Sequence, residues 1–205
     1  TQSRSSAASD VYKRQNRFYV QRSVHDAFVE ALRARIEQLP MGDGFNPENK
    51  LAPLINSQAV EKVREHIEDA KRKGATVYTI NRPEPRANFI SPTILTGVTQ
   101  SMLVCQEETF GPLAAVSCFD DEAEAIALAN DTPFGLAAYF YSENTHRIWR
   151  VADGIEAGMI GINTGLISNA AAPFGGVKAS GLGREGAREG LDEYLETKYL
   201  LFGRG

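Results

Sequence analysis

Glu107-Glu108-Thr109-Phe110-Gly111-Pro112 runs straight into Leu113-Ala114-Ala115-Val116-Ser117-Cys118-Phe119, and Asp120-Asp121 follow. An apolar run closed in front by Gly-Pro and behind by acidic residues predicts a buried strand over 113–119. The pattern after it predicts a helix over 121–130, capped by Asp120. Strands that alternate with helices of about ten residues build crossover units. This stretch therefore selects an α/β fold, a largely parallel sheet flanked by helices.

Working upstream, Arg17-Phe18-Tyr19-Val20 reads as a short strand. Ser23-Val24-His25-Asp26 resembles a capping box, and Val24, Phe28, Leu32, Ile36 and Leu39 form one apolar stripe at helical spacing. A Gly-, Pro- and Asn-rich loop spans 40–53. A second helix starts near Asn56, carries Val60, Val63 and Ile67 on its inner face and stops at Gly74. Residues 75–80 are β-like, and Thr93-Ile94-Leu95 predicts a strand after Pro92.

Downstream, 136–141 and 158–162 read as buried strands flanking a helix over 145–153. A last helix is expected over 184–194 and a last strand over 197–202. No repeat, low-complexity segment or linker follows residue 16, so 16–195 reads as one domain with an end strand in 196–205. That strand is apolar (Tyr199-Leu200-Leu201-Phe202) and needs a partner, in its own sheet or in another subunit. Residues 1–15 (TQSRSSAASDVYKRQ) show no periodicity and no apolar signal-peptide core. They read as a non-native or disordered segment.

The net charge of -4 and pI near 5.5, with scattered Lys and Arg, argue against nucleic acid as a partner. No apolar run reaches transmembrane length, so no membrane role is expected. Two cysteines are too few for a disulfide framework or a zinc cluster, and a reduced, cytoplasmic setting fits. Cys105 stands among Leu103, Val104 and acidic Glu107, surroundings that raise a thiol pKa, so it reads as structural. Cys118 reads as a core residue. His25, His66 and His146 fall on predicted helices without ligand spacing, and no metal site is expected.

Three constellations remain. Gly181-Leu182-Gly183-Arg184-Glu185-Gly186 matches the dinucleotide fingerprint in letters only, because a Gly/Lys/Ser loop rather than a strand precedes it. Its glycines are expected to turn a tight loop and start the last helix. Glu107-Glu108 before Phe110-Gly111-Pro112 admits two readings. It is a solvated charge pair, or a carboxylate and a preset aromatic ring for a ribose and a nicotinamide. The long loop 163–183 offers Asn163, Thr164, Ser168, Asn169 and Lys178 as polar groups and Phe174 as an apolar wall. It lines a substrate channel or is simply a mobile loop.

Four motifs in order carry a family resemblance: Asn88-Phe89-Ile90-Ser91-Pro92-Thr93-Ile94-Leu95, the Glu-Glu-x-Phe-Gly-Pro run, Ala129-Asn130-Asp131-Thr132-Pro133-Phe134-Gly135-Leu136, and Pro173-Phe174-Gly175-Gly176-Val177-Lys178. Together they resemble the C-terminal part of the aldehyde dehydrogenase superfamily. Gly161-Ile162-Asn163-Thr164-Gly165-Leu166-Ile167-Ser168 and Asp192-Glu193-Tyr194-Leu195-Glu196 resemble its succinate-semialdehyde dehydrogenase branch.

The resemblance implies oxidation of a small-molecule aldehyde with NAD or NADP: a cysteine thiolate attacks, hydride leaves to the nicotinamide, and glutamate-activated water hydrolyses the thioester. It implies Glu108 and Phe110 as cofactor contacts, Ser168 and Phe174 as substrate contacts, and a homo-oligomer, dimer or tetramer, joined through the end strand. The nucleophilic cysteine and general base lie before Asn16 in the family pattern. The chain therefore reads as a fragment without catalytic residues, inactive alone. Ala170 stands where close relatives often carry Glu, so the exact substrate stays open. Glutarate semialdehyde is the alternative substrate, and a non-catalytic protein that binds an intact subunit is the alternative role.

Overall fold

Residues 17–80 and 88–205 are described by a computed structural model; the segment 1–15 lies outside them. The described residues divide into two compact units, one ending at residue 125 and one spanning 126–205.

In the first unit β1 (Phe18–Gln21), β4 (Leu113–Phe119), β3 (Thr93–Thr96) and β2 (Thr76–Thr79) form one sheet in the order β1-β4-β3-β2. β4 runs parallel to both neighbours, with Phe18 opposite Val116 and Thr93 opposite Leu113, and β2 closes the edge antiparallel to β3. Successive residues of a strand face opposite sides, and here they feed two cores. Ile94, Ala114 and Val116 pack with Val20 and with Phe28, Leu32 and Ile36 of α1 (His25–Glu37). Leu95, Leu113 and Ala115 pack with Val60, Val63 and Ala70 of α2 (Ser57–Arg72). The strands of a doubly covered sheet read as continuous apolar runs, as β4 does. Full burial of a side chain such as Leu95 or Ile94 contributes about 1.5–3 kcal/mol.

α2 has the ends its sequence announces. Asn56 caps it, accepting the Ala59 N–H at 2.9 Å. Gly74, at φ +97, ends it while the Ala75 N–H bonds Ala70 and the Gly74 N–H bonds Lys71. α1 differs. A 3-10 turn over Arg22–Val24 precedes it, no side chain caps it, and the Asp26 carboxylate lies 2.8 Å from His25 Nδ1. Val24 is 53% exposed and leaves the stripe. The expected cap of α4 (Glu122–Asn130) also moves by one residue. Asp121 accepts the Glu124 N–H, whereas Asp120 accepts from the Arg22 guanidinium at 2.6 and 3.0 Å.

The second unit holds two small sheets. β6 (Ala137–Phe140) runs parallel to β7 (Met159–Ile162), and β5 (Phe134–Gly135) pairs antiparallel with β8 (Val177–Lys178). Between β6 and β7 lies α5 (Thr145–Gly154), capped by Asn144. β6 and β7 are largely half-buried rather than buried, because a two-stranded sheet leaves its outer edges uncovered. The last helix does not form over 184–194. Gly186 and Ala187 take φ values of +68 and +48, which no right-handed helix accepts, and only a 3-10 segment Glu189–Tyr194 follows. Residues 197–202 form no ladder among the described residues and lie exposed, since a strand exists only with a partner.

Candidate functional site

Immediately before β4, the chain leaves α3 (Leu103–Gln106), a single turn, in extended conformation at Glu107. Extended backbone sends alternate side chains to opposite sides. Thr109 is buried, whereas Glu108 and Phe110 are exposed, Phe110 by 50%. The two residues implied as cofactor contacts therefore share the outer side of one turn.

That turn is fastened to α2. His66 is 1% exposed, and its Nδ1 lies 2.6 Å from the Thr109 hydroxyl oxygen. Its Nε2 faces Glu107 Oε2 at 3.5 Å, at the outer edge of hydrogen-bond distance, with no closer partner. Lys62, one helical turn earlier, places Nζ 3.1 Å from the same oxygen. Lys62 above all, with His66 behind it, holds the Glu107 carboxyl below the usual carboxylate range. Burial pushes the His66 imidazole down against the opposing pull of Glu107, which favours a neutral ring. The contact between Nδ1 and the Thr109 hydroxyl fits either tautomer; with the hydrogen on Nε2 the neutral ring turns it toward the Glu107 carboxylate and Nδ1 accepts from Thr109. Gly111 completes the seat: a Cβ there would come 2.5 Å from Val63 Cγ2.

A second buried polar group anchors α3. Asp69 accepts the Leu103 N–H at 2.8 Å and the Lys73 ammonium at 2.9 Å. These bonds hold its carboxyl below the ordinary range, the Leu103 N–H contributing most. Cys105 packs against the α2-side core, and burial pushes its thiol up. The cause is desolvation rather than the nearby Glu107.

The loop 163–183 is more organised than its composition suggests. Phe174 and Glu185 exchange both backbone hydrogen bonds, at 2.8 and 2.6 Å. The Arg184 guanidinium donates to the Gly176 and Gly183 carbonyls at 2.8 and 2.7 Å. Gly181, Gly183 and Gly186 are all left-handed, so the segment that imitates a dinucleotide fingerprint is a turn backing Phe174. Most polar groups of the loop are committed. Asn163 exchanges bonds with the Ser142 backbone, and Thr164 and Asn169 bond their own neighbours. Lys178 donates to the Asn130 and Thr132 carbonyls and pairs with Glu156. The exposed Ser168 hydroxyl has no partner among the described residues, and Phe174 is 38% exposed.

Sequence reading gave no positioning role to Lys62, His66, Asp69 or Arg184. The signal for two of them was present: His66 lies beside Ile67 on the apolar face of α2, and Asp69 beside Ala70. A polar residue on a buried helix face implies a partner. No group of three metal-ligating side chains occurs among the described residues, and no helix is long and apolar enough to cross a membrane.

Residues 13–200 match the model of the aldehyde dehydrogenase family. The chain is 54% identical over 189 residues to a glutarate-semialdehyde dehydrogenase of Pseudomonas aeruginosa, covering 92% of the chain and 39% of that protein. It is 55% identical over 190 residues to the mitochondrial succinate-semialdehyde dehydrogenase of Homo sapiens, covering 92% of the chain and 36% of that protein. The crystal structure of an NADP-dependent enzyme from E. coli superposes with a TM-score of 0.89 at 52% identity, covering 92% of this chain and 40% of that one. The chain thus spans well under half the length of these relatives, but the family model covers nearly all of it, and the chain belongs to the aldehyde dehydrogenase family.

Proposed function

We propose that this chain forms the nicotinamide-side contact and part of the substrate channel of an NAD- or NADP-dependent dehydrogenase for a carboxylate-bearing semialdehyde, succinate semialdehyde first. The observation that carries the reading is the fastened turn that exposes Glu108 and Phe110 together. The Glu108 carboxylate has no hydrogen-bond partner among the described residues, so it is an open acceptor for a pair of ribose hydroxyls. The Phe110 ring offers an apolar face whose backbone Gly111 and Pro112 hold in place. Both fit a nicotinamide riboside. When bound, that cofactor accepts the hydride from the substrate carbon.

Ser168 donates its hydroxyl to the far carboxylate of the substrate, and Phe174 supplies an apolar wall for its methylene chain. A single hydroxyl does not distinguish chains one methylene apart, so glutarate semialdehyde is the second reading, favoured by the 54% identity to an enzyme of that name. Neither Cys105 nor Cys118 is assigned the nucleophile. The exposed apolar run Tyr199 to Phe202 supports pairing with another subunit, most simply a second copy.

The test is amide-resolved NMR of the chain with oxidised nicotinamide mononucleotide, then with succinate and glutarate. The mononucleotide is expected to shift the Glu108 and Phe110 amides, and Glu108→Gln to weaken binding about tenfold. Both dicarboxylates are expected to shift Ser168 and Phe174. Shifts confined to other residues would overturn the assignment.

A further inference from the structure

We propose that His66 is a positioning residue for the cofactor contact: bridging Thr109 and Glu107, the two residues that flank Glu108, it aims Glu108 and Phe110 outward. The proposal rests on the assignment of Glu108 and Phe110 as cofactor contacts and goes beyond it, because His66 itself touches no ligand.

The geometry is specific. Glu107 and Thr109 both meet α2, through Lys62 and His66, while Glu108 between them pairs with nothing among the described residues. Two residues of α2, one turn apart, receive them: Lys62 takes Glu107 from the solvent side, and His66 takes Thr109 from below. The groups facing the His66 ring are Lys62 and Glu65 on its own helix and Glu107 and Thr109 on the turn. One tautomer gives both ring nitrogens a polar neighbour of the right sense, although Nε2 makes no hydrogen bond at 3.5 Å. Thr109 donates to Nδ1, Nε2–H points at Glu107, and Glu107 receives Lys62 as well. Rotation of the turn about its length would break the 2.6 Å bond and leave Nδ1 unpaired at 1% exposure, so the orientation of Glu108 is tied to the ring.

A residue that only stabilised the fold would lower stability without changing what the folded protein binds. The decisive series is therefore Thr109→Val, which keeps the shape and removes the hydroxyl, against Thr109→Ser, which keeps the hydroxyl. Thr109→Ala serves if the valine chain does not fold. Each is compared with the native chain by NMR well below its unfolding temperature, titrating oxidised nicotinamide mononucleotide and recording the ring nitrogens of His66. The native ring is expected to carry its hydrogen on Nε2. Valine or alanine is expected to move the Glu108 and Phe110 amides and raise the mononucleotide Kd about tenfold, and serine to restore it to within about twofold.

A native chain that binds the mononucleotide at Glu108 and Phe110, together with a folded Thr109→Val chain that binds it equally well, overturns the positioning role alone. A native chain that shows the Nε2–H ring but no response of Glu108 or Phe110 overturns the cofactor reading, and the positioning role falls with it.

Discussion

His66 occupies a place on α2 that an aliphatic residue would fill at no electrostatic cost. An imidazole buried to 1% exposure is tolerated because each ring nitrogen faces a polar partner. Removing one partner exposes that cost. Thr109→Val is expected to lower unfolding free energy by about 1–3 kcal/mol in urea titration, and Thr109→Ser by well under half of that.

Acid adds a second expectation at the same residue. Burial depresses the folded His66 pKa, whereas the unfolded side chain takes its proton near pH 6.5. Below about pH 6.5 the unfolded state therefore binds more protons, so stability is full above that pH and falls as pH drops toward the folded pKa. The urea midpoint should decline between pH 7 and pH 5, and a His66→Asn chain should show a flatter profile there. A separate decline should begin near pH 4, where Asp69, Glu107 and Asp120, all held below the ordinary carboxylate range, take up protons.

Among the elements, two glycines separate backbone strain from steric crowding. Gly74 ends α2 at φ +97, and a Cβ added there would meet nothing within 4 Å. Gly74→Ala is therefore expected to cost about 1–2 kcal/mol through the left-handed backbone alone. Gly158, just before β7, has an ordinary backbone, but a Cβ there would overlap the Gly175 carbonyl oxygen. Gly158→Ala must push the Phe174 loop away and should cost about 1–3 kcal/mol. Hydrogen exchange distinguishes the two: Gly158→Ala should strip protection from the Phe174 and Glu185 amides, and Gly74→Ala should leave them protected.

The elements that read true from sequence carried their own punctuation. β4 matched 113–119 because Gly111-Pro112 closes it in front and acidic residues behind, and α2 because Asn56 and Gly74 mark its ends. Ser23 and Asp26 had the letters of a capping box, but the chain enters α1 through a 3-10 turn and the hydroxyl caps nothing. The last helix failed on the left-handed Gly186 and Ala187, conformations the residues permit without announcing.

Over the molecule as a whole, residues 196–205 are exposed throughout and carry four large apolar side chains in a row, Tyr199 to Phe202. Such a segment adds little to the stability of a single chain and much to its tendency to associate. A chain ending at Leu195 should keep its urea midpoint while sedimenting as a smaller species than the 205-residue chain. Equal sedimentation of the two would remove the end segment as the subunit contact.

The class of this protein was legible in its residues before any fold was known. Apolar period and Gly-Pro boundaries are local properties that led to an α/β fold, and four ordered motifs led to a resemblance to the aldehyde dehydrogenase family, which implies Glu108, Phe110, Ser168 and Phe174 as candidate contacts. How the Glu108 and Phe110 turn is held became visible only in three dimensions. The bond from His66 to Thr109 spans 43 positions, and Asp69 reaches Leu103 across 34. Pairings of that separation have no period or motif; they exist because a buried polar atom must find whatever partner the packed sheet and helix bring within about 3 Å.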